Sequence, residues 1–188
     1  MNKMNRYIKS MLIILSAMAL GTSCVKEKLE TMYTNQESKI DQYINSNKYI
    51  NNKTDSLRVV YNGGASRLVL TEGTGEELNS SGTVAFYYAG YVFSGNKNAS
   101  GLFTTNHEET AKSAGWNLTD EEYAIYKTNM SEAKLLEGLR SGLIGVQSGE
   151  HCVILFSGKY GFGNETFGMI PANSALLYEI WVEAVSND

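Results

Sequence analysis

One segment limits what this chain can fold into more than any other: SEAKLLEGLRSGL, Ser131 to Leu143. Leu135, Leu136, Leu139 and Leu143 fall at helical spacing, and Ser131 stands where an N-cap belongs. The spacing predicts one amphipathic helix with a continuous leucine face. Nearly everything around it reads as strand. LRVVYN and SRLVLTEG flank Gly63-Gly64, TVAFYYAGYVFSG (Thr83 to Gly95) is a long β-branched and aromatic run, and EHCVILFSG and ALLYEIWVEAV close the chain. A leucine face needs an apolar partner, and only a sheet is on offer. The fold class expected is therefore α+β, with one antiparallel sheet covering that helix. In EHCVILFSG, Cys152, Ile154 and Phe156 alternate with His151, Val153 and Leu155, which puts His151 on the outward, solvated face.

The interval from Asn96 to Asn129 is polar, with Phe103, Trp116, Leu118, Tyr123 and Tyr126 scattered through it. Thr119 with Glu122 three residues on has the capping-box spacing, so a helix is expected to start there. Residues 24–56 read as a polar, Asn- and Lys-rich tether. A weak stripe at Ile40, Tyr43 and Ile44 marks one short helix within it.

The amino terminus is a targeting segment. Lys3, Arg6 and Lys9 precede the short apolar run MLIILSAMAL, which is too short to span a bilayer as a stable helix. Small residues then lead to Cys24. Residues 1–23 resemble a bacterial lipoprotein signal that leaves Cys24 as the lipidated first residue, although Gly21 stands where a leucine is usual. An ordinary secretory signal cut nearby is the other reading. Lipidation would place the protein in the cell envelope, anchored to a membrane and facing periplasm or cell surface, with Cys152 left unpaired. Loss of the three leader cations changes sixteen basic residues to thirteen against twenty acidic, about −7. An acidic surface of that size argues against nucleic acid as a partner. About 165 remaining residues suit one domain.

No metal is expected: His107 and His151 are the only histidines, and neither CxxC nor HxxxH occurs. GFGNETFG lacks the strand-to-helix context of a phosphate loop, and no cofactor is indicated.

Five motifs occur in order: VLTEGTGEE, VAFYYAGYVFSG, LFTTN, LLEGLRSGLIGVQSGE and YGFGNETFGMIPANSALLYEIWV. Together, from about Leu68 to Val185, they resemble the FKBP-type peptidyl-prolyl cis-trans isomerase family. The resemblance implies a domain over 57–188 with an insertion at about 96–130. Its fold would be a twisted antiparallel β half-barrel wrapped around a short α-helix, with a pocket between helix and sheet. Carried over residue by residue, the catalytic positions are Tyr88, Phe103, Leu136, Leu139, Phe162 and Tyr178. The substrate-binding positions are Leu135, Phe167 and Ile170. The Leu136 N–H would donate to substrate, Leu139 would be the pocket floor, and Met169 and Ile170 beside the single proline, Pro171, would face the ligand. Core packing alone accounts equally for Tyr88, Leu135 and Tyr178.

Three positions depart from the family pattern. Thr104 replaces an aspartate, Leu139 a tryptophan, and Phe162 a tyrosine whose hydroxyl holds a substrate carbonyl. Trp116, Tyr123 or Tyr126 would either rebuild a wall or anchor the insertion. The implied activity is isomerisation of Xaa-Pro bonds in exported, proline-containing polypeptides. The competing readings are a binding or chaperone-like module with little turnover, and a surface scaffold.

Overall fold

The computed structural model describes residues 4–50 and 55–187, with side chains described from Val25 onward apart from Ile50 and Asp55. The expected leader, residues 1–23, and the Cys24 side chain lie outside those described side chains. Two compact units divide the chain, Met1–Asn35 and Gln36–Asp188. The described part of the first is helix α1 (Met4–Asn47), whose last turns, from Gln36, belong to the second. The helix is far longer than the short one expected. No Gly or Pro interrupts Val25–Asn47, so nothing in that stretch stops helix propagation.

The second unit is built on a seven-stranded antiparallel sheet. Its strands are β3 (Val59–Asn62), β4 (Ala65–Thr71), β5 (Thr83–Val92), β6 (Leu102–Thr105), β7 (Tyr126–Asn129), β8 (His151–Phe156) and β9 (Leu176–Ser186). They run in the order β3-β4-β8-β9-β5-β6, with β7 also paired to β5; β1 (Tyr49–Ile50) and β2 (Asp55–Ser56) form a separate pair. The long strand β5 carries β6 at Ala89–Tyr91 and β7 at Thr83–Phe86, so the polar interval after it returns to the sheet twice. Between those returns lies helix α2 (Glu108–Ser113), which the sequence pattern did not predict. The capping pair does form: Glu122 accepts from the Thr119 N–H (2.8 Å) and hydroxyl (3.0 Å). It closes a turn and no helix follows.

Helix α3 (Glu137–Leu143) lies on one face of the sheet, and its Leu139 and Leu143 join a buried cluster with Cys152, Ile154 and Phe156 of β8. The helix begins at Glu137, not at Ser131. Asn129 Oδ1 accepts from the Ser131 N–H (3.0 Å) and hydroxyl (2.5 Å), and the Arg140 guanidinium donates to the carbonyls of Met130 and Ala133. Those side-chain bonds satisfy the backbone locally and hold residues 130–136 in an irregular course. The fit of α3 on β8 requires glycine: a Cβ on Gly138 would lie 2.2 Å from Phe156 Cγ, and one on Gly142 2.2 Å from Ile154 Cγ2. The carboxyl end of α3 is capped by buried Arg67, whose guanidinium donates to the carbonyls of Gly142, Ile144 and Gly145 at 2.8, 2.8 and 3.0 Å. Arg67 Nε lies 3.2 Å from Oε1 of buried Glu150, an ion pair without hydrogen-bond alignment.

The opposite face of the sheet is covered as well. Ile40 and Ile44 of α1 are buried there with Leu68, Val153, Leu155 and Leu177, and Tyr43 meets Phe93 edge to face at 5.5 Å. Gln36 donates to the Asn173 carbonyl (2.7 Å) and accepts the Gly158 N–H (2.8 Å). Thus residues 36–44, within the expected tether, are packed protein. The stripe looked weak because Ile40, Tyr43 and Ile44 are the only apolar residues from Gln36 to Asn47. His151 is likewise not simply solvated: its ring stacks 5.0 Å from Trp181, and Nε2 lies 3.1 Å from Glu179. His107 stacks on Trp181 at 3.8 Å.

Candidate functional site

Alternation along two adjacent strands creates the site. Phe86 and Tyr88 on β5 and Tyr178 on β9 point to the α3 side of the sheet, where Gly90, paired with Tyr178, leaves a gap. A Cβ on Gly90 would fall 2.9 Å from each of Phe103, Thr104 and Tyr178. The missing side chain lets Phe103 of β6 and Tyr178 meet edge to face at 5.8 Å. Tyr126 of β7 adds a fifth ring, 5.4 Å from Phe86 and 6.3 Å from Tyr88. Beneath Tyr178, the Phe156 ring lies nearly parallel at 6.1 Å.

The other wall comes from α3 and the loop before β9. Leu135 and Leu136 precede the helix instead of lying within it as their spacing predicted; Leu136 is its N-cap, and Leu139 lies within it. No side chain caps that end, so the first-turn N–H groups lack intrahelical partners. Phe162 and Phe167 stack at 4.9 Å, and Phe167 and Ile170 exchange backbone hydrogen bonds of 3.0 and 2.9 Å around Gly168, whose φ of +56° suits the turn. Phe167 and Met169 are more than half exposed at the lip, whereas Ile170 is buried.

Between these walls lies an open cavity of about 690 Å³. Tyr88, Phe103, Leu135, Leu136, Leu139, Phe162, Phe167, Ile170 and Tyr178, the nine residues singled out in the sequence, all line it. Met169 also reaches it; Pro171 is exposed and does not. Among the possible wall-builders of the interval, Tyr126 lines this cavity, Trp116 a neighbouring one, and Tyr123 neither. Phe86 and Lys134 were missed. The spacing of Phe86 two residues before Tyr88 was the available signal; Lys134 offered none.

The chemistry of the lining is apolar and aromatic. Lys134 is its one charged residue, and its hydroxyls belong to Tyr88, Thr104, Tyr126 and Tyr178. Burial, and secondarily the neighbouring Tyr88, push the Tyr178 hydroxyl well above the usual phenol range, so it stays protonated and can donate. Among the described residues no cluster of His, Cys, Asp and Glu could hold a metal. Among the described residues the lining has no carboxylate, histidine or cysteine.

An antiparallel sheet packed on a short helix, with an apolar ring-lined cavity between them, is the arrangement these elements form. The sequence profile of the FKBP-type peptidyl-prolyl cis-trans isomerases matches residues 75–183, and the chain belongs to that family. It is similar to FK506-binding protein 1 of Aspergillus oryzae, with 26% identity over 117 residues covering 62% of this chain and 94% of that protein. Among solved structures it resembles the N-terminal domain of FKBP42 from Arabidopsis thaliana (TM-score 0.54, 21% identity, 74% of this chain and 99% of that one). It also resembles FkpA from Escherichia coli (TM-score 0.51, 18% identity, 95% and 71%). At these identities the structural likenesses speak to the fold, which is FKBP-like.

Proposed function

We propose that the cavity isomerises Xaa-Pro bonds of exported polypeptides. The observation that carries this reading is the convergence of the nine named side chains on one apolar hollow. Rotation about an Xaa-Pro bond costs roughly 18–20 kcal/mol because amide resonance is lost at the perpendicular geometry. The twisted imide has less charge separation than the planar one, so a dry cavity penalises it less. Tyr88, Phe103, Leu139 and Tyr178 would enclose the prolyl ring, while Leu135, Phe167 and Ile170 hold the flanking chain. The N–H of Leu136 and the hydroxyl of Tyr178 supply hydrogen bonds to carbonyls. Catalysis on this scheme is stronger binding of the twisted state, with no covalent step.

Thr104, Leu139 and Phe162 favour a second reading, a binding module with slow turnover. Each lacks the carboxylate, the flat ring or the hydroxyl that the family pattern has there. A protease-coupled assay with Xaa-Pro peptides separates the two. Acceleration at micromolar protein supports the enzyme; none, with retained binding of FK506 followed by fluorescence, supports the binding module.

Anchoring through lipid on Cys24 completes the proposal. Among the described residues no helix is long and apolar enough to cross a membrane. Cys24→Ser should move the protein from the membrane pellet to the soluble fraction. Unchanged partitioning would remove the lipid anchor from the scheme.

A further inference from the structure

A second cavity, of about 470 Å³, adjoins the first. Tyr88, Phe103, Thr104 and Tyr126 line both, so the two cavities lie side by side. The remaining wall is the excursion between β6 and β7, which contributes Trp116, Leu118, Glu121 and Glu122. That excursion is tied to the sheet by buried Asn106, whose Oδ1 accepts the Tyr88 N–H (2.6 Å) and whose Nδ2 donates to the Ala124 carbonyl (3.0 Å). Trp116 is fixed by its backbone N–H, bonded to the Ala111 carbonyl (2.9 Å).

Charge changes sign between the two cavities. Among the described residues the first has Lys134 as its only charged lining residue, while the second has Glu121 and Glu122 and no Lys or Arg. We infer that the second cavity is a specificity subsite for the bound polypeptide, taking a Lys or Arg side chain within about three residues of the proline. Its occupant is thus a basic stretch of the same chain whose proline sits next door. A Lys or Arg stem has the apolar length to lie along Trp116 and Leu118, and the ring face attracts its cationic head. The head then meets Glu121 and Glu122, whereas Lys134 repels it from the first cavity. An acidic residue in the same place meets two like charges. Successive residues advance the chain by about 3.3–3.6 Å, so a few residues bridge adjacent cavities.

This inference rests on the first cavity being the proline site, and the test keeps the two apart. Peptides with one Xaa-Pro bond, carrying Lys, Ala or Glu at each position from three before to three after the proline, are titrated by tryptophan fluorescence at low salt. The same peptides enter the protease-coupled assay. At one or two neighbouring positions Lys should bind about three- to tenfold more tightly than Glu, a ratio that shrinks at high salt. In Glu121→Gln/Glu122→Gln the ratio should fall close to one; the amide oxygen can still accept from Thr119, and a thermal melt checks the fold. Equal binding of Lys and Glu peptides at every position overturns the subsite, as does a preference that survives the double substitution. Isomerisation of no peptide, with the binding ratio intact, overturns the proposed activity and leaves the subsite standing. Binding of no peptide overturns both.

Discussion

Gly138→Ala is a one-methyl test of how α3 sets the depth of the cavity. The added Cβ would lie 2.2, 2.5 and 2.7 Å from Cγ, Cδ2 and Cβ of Phe156. Ordinary carbon–carbon contact is about 3.5–4.0 Å, so the two elements must separate by more than about 1 Å. A rotamer change of Phe156 cannot remove the clash, because its own Cβ is one of the atoms struck. Overpacking of this kind costs about 1–3 kcal/mol, and the rigid geometry places it at the upper end. Alanine's better helix propensity returns at most about 1 kcal/mol. The net loss is about 2 kcal/mol, which for a unit of this size lowers Tm by about 4–8 °C. Urea unfolding followed by circular dichroism measures it, with an unchanged slope showing that the same surface is exposed. Because Phe156 stacks on Tyr178, peptide affinity should fall in the same variant. Equal or higher stability with unaltered affinity would refute the close-packed docking of α3.

Three further outcomes are expected. Glu150→Ala leaves the buried Arg67 guanidinium without its carboxylate and should cost about 3–5 kcal/mol, read by the same unfolding experiment. Arg67→Met/Glu150→Leu should not recover that loss, because it also strips the donors from the carbonyls of Gly142, Ile144 and Gly145. Leu139→Trp with Phe162→Tyr should raise turnover by about tenfold or more if a ring floor and a hydroxyl are what the cavity lacks; unchanged rates in the protease-coupled assay would count against this placement of the pocket. Burial, outweighing the nearby carboxylates, holds the His107 imidazole below its usual range. Its folded-state pKa is therefore lower than the unfolded value of about 6.5, so it adds stability above that pH and loses it as pH falls through the folded value. His107→Gln should flatten the fall in urea midpoint between pH 7 and 5.

Strands β4, β5, β8 and β9 were legible because their apolar runs are long and bounded by glycine turns. The site was legible in part for a related reason: Tyr88 and Tyr178 sit on those strands, Leu139 on the leucine helix and Ile170 beside Pro171, whereas Phe103, Leu135, Leu136, Phe162 and Phe167 were reached through the family motifs. Other features depend on partners distant in sequence. YKTN has no apolar pattern, and β7 exists because β5 is long enough to pair it beside β6. The start of α3 is set by Arg140 and Asn129, which divert the backbone groups of residues 130–133. Arg67 and Glu150 look like ordinary surface charges in sequence; burial under α3 is a tertiary fact. His151 alternates outward correctly, yet the outward face holds Trp181 and Glu179.

The three departures from the family pattern do not act alike. Leu139 is a packing change: it remains buried on α3 and still closes the cavity floor, so what it loses is flat contact with a prolyl ring. Phe162 loses a donor, but its ring is retained in the stack with Phe167. A hydrogen bond made more strongly in the twisted state contributes about 0.5–1.5 kcal/mol, so one missing hydroxyl accounts for a rate loss of about tenfold or less. Thr104 exchanges a charge for a hydroxyl at the seam between the two cavities, and in doing so removes a carboxylate from the middle of the groove. The negative charge of this site then lies only at Glu121 and Glu122, one cavity further on. If the first cavity takes proline as proposed, a cationic residue would be drawn past it instead of into it. On that proposal the same substitution that would weaken turnover at the first cavity would sharpen the choice made at the second.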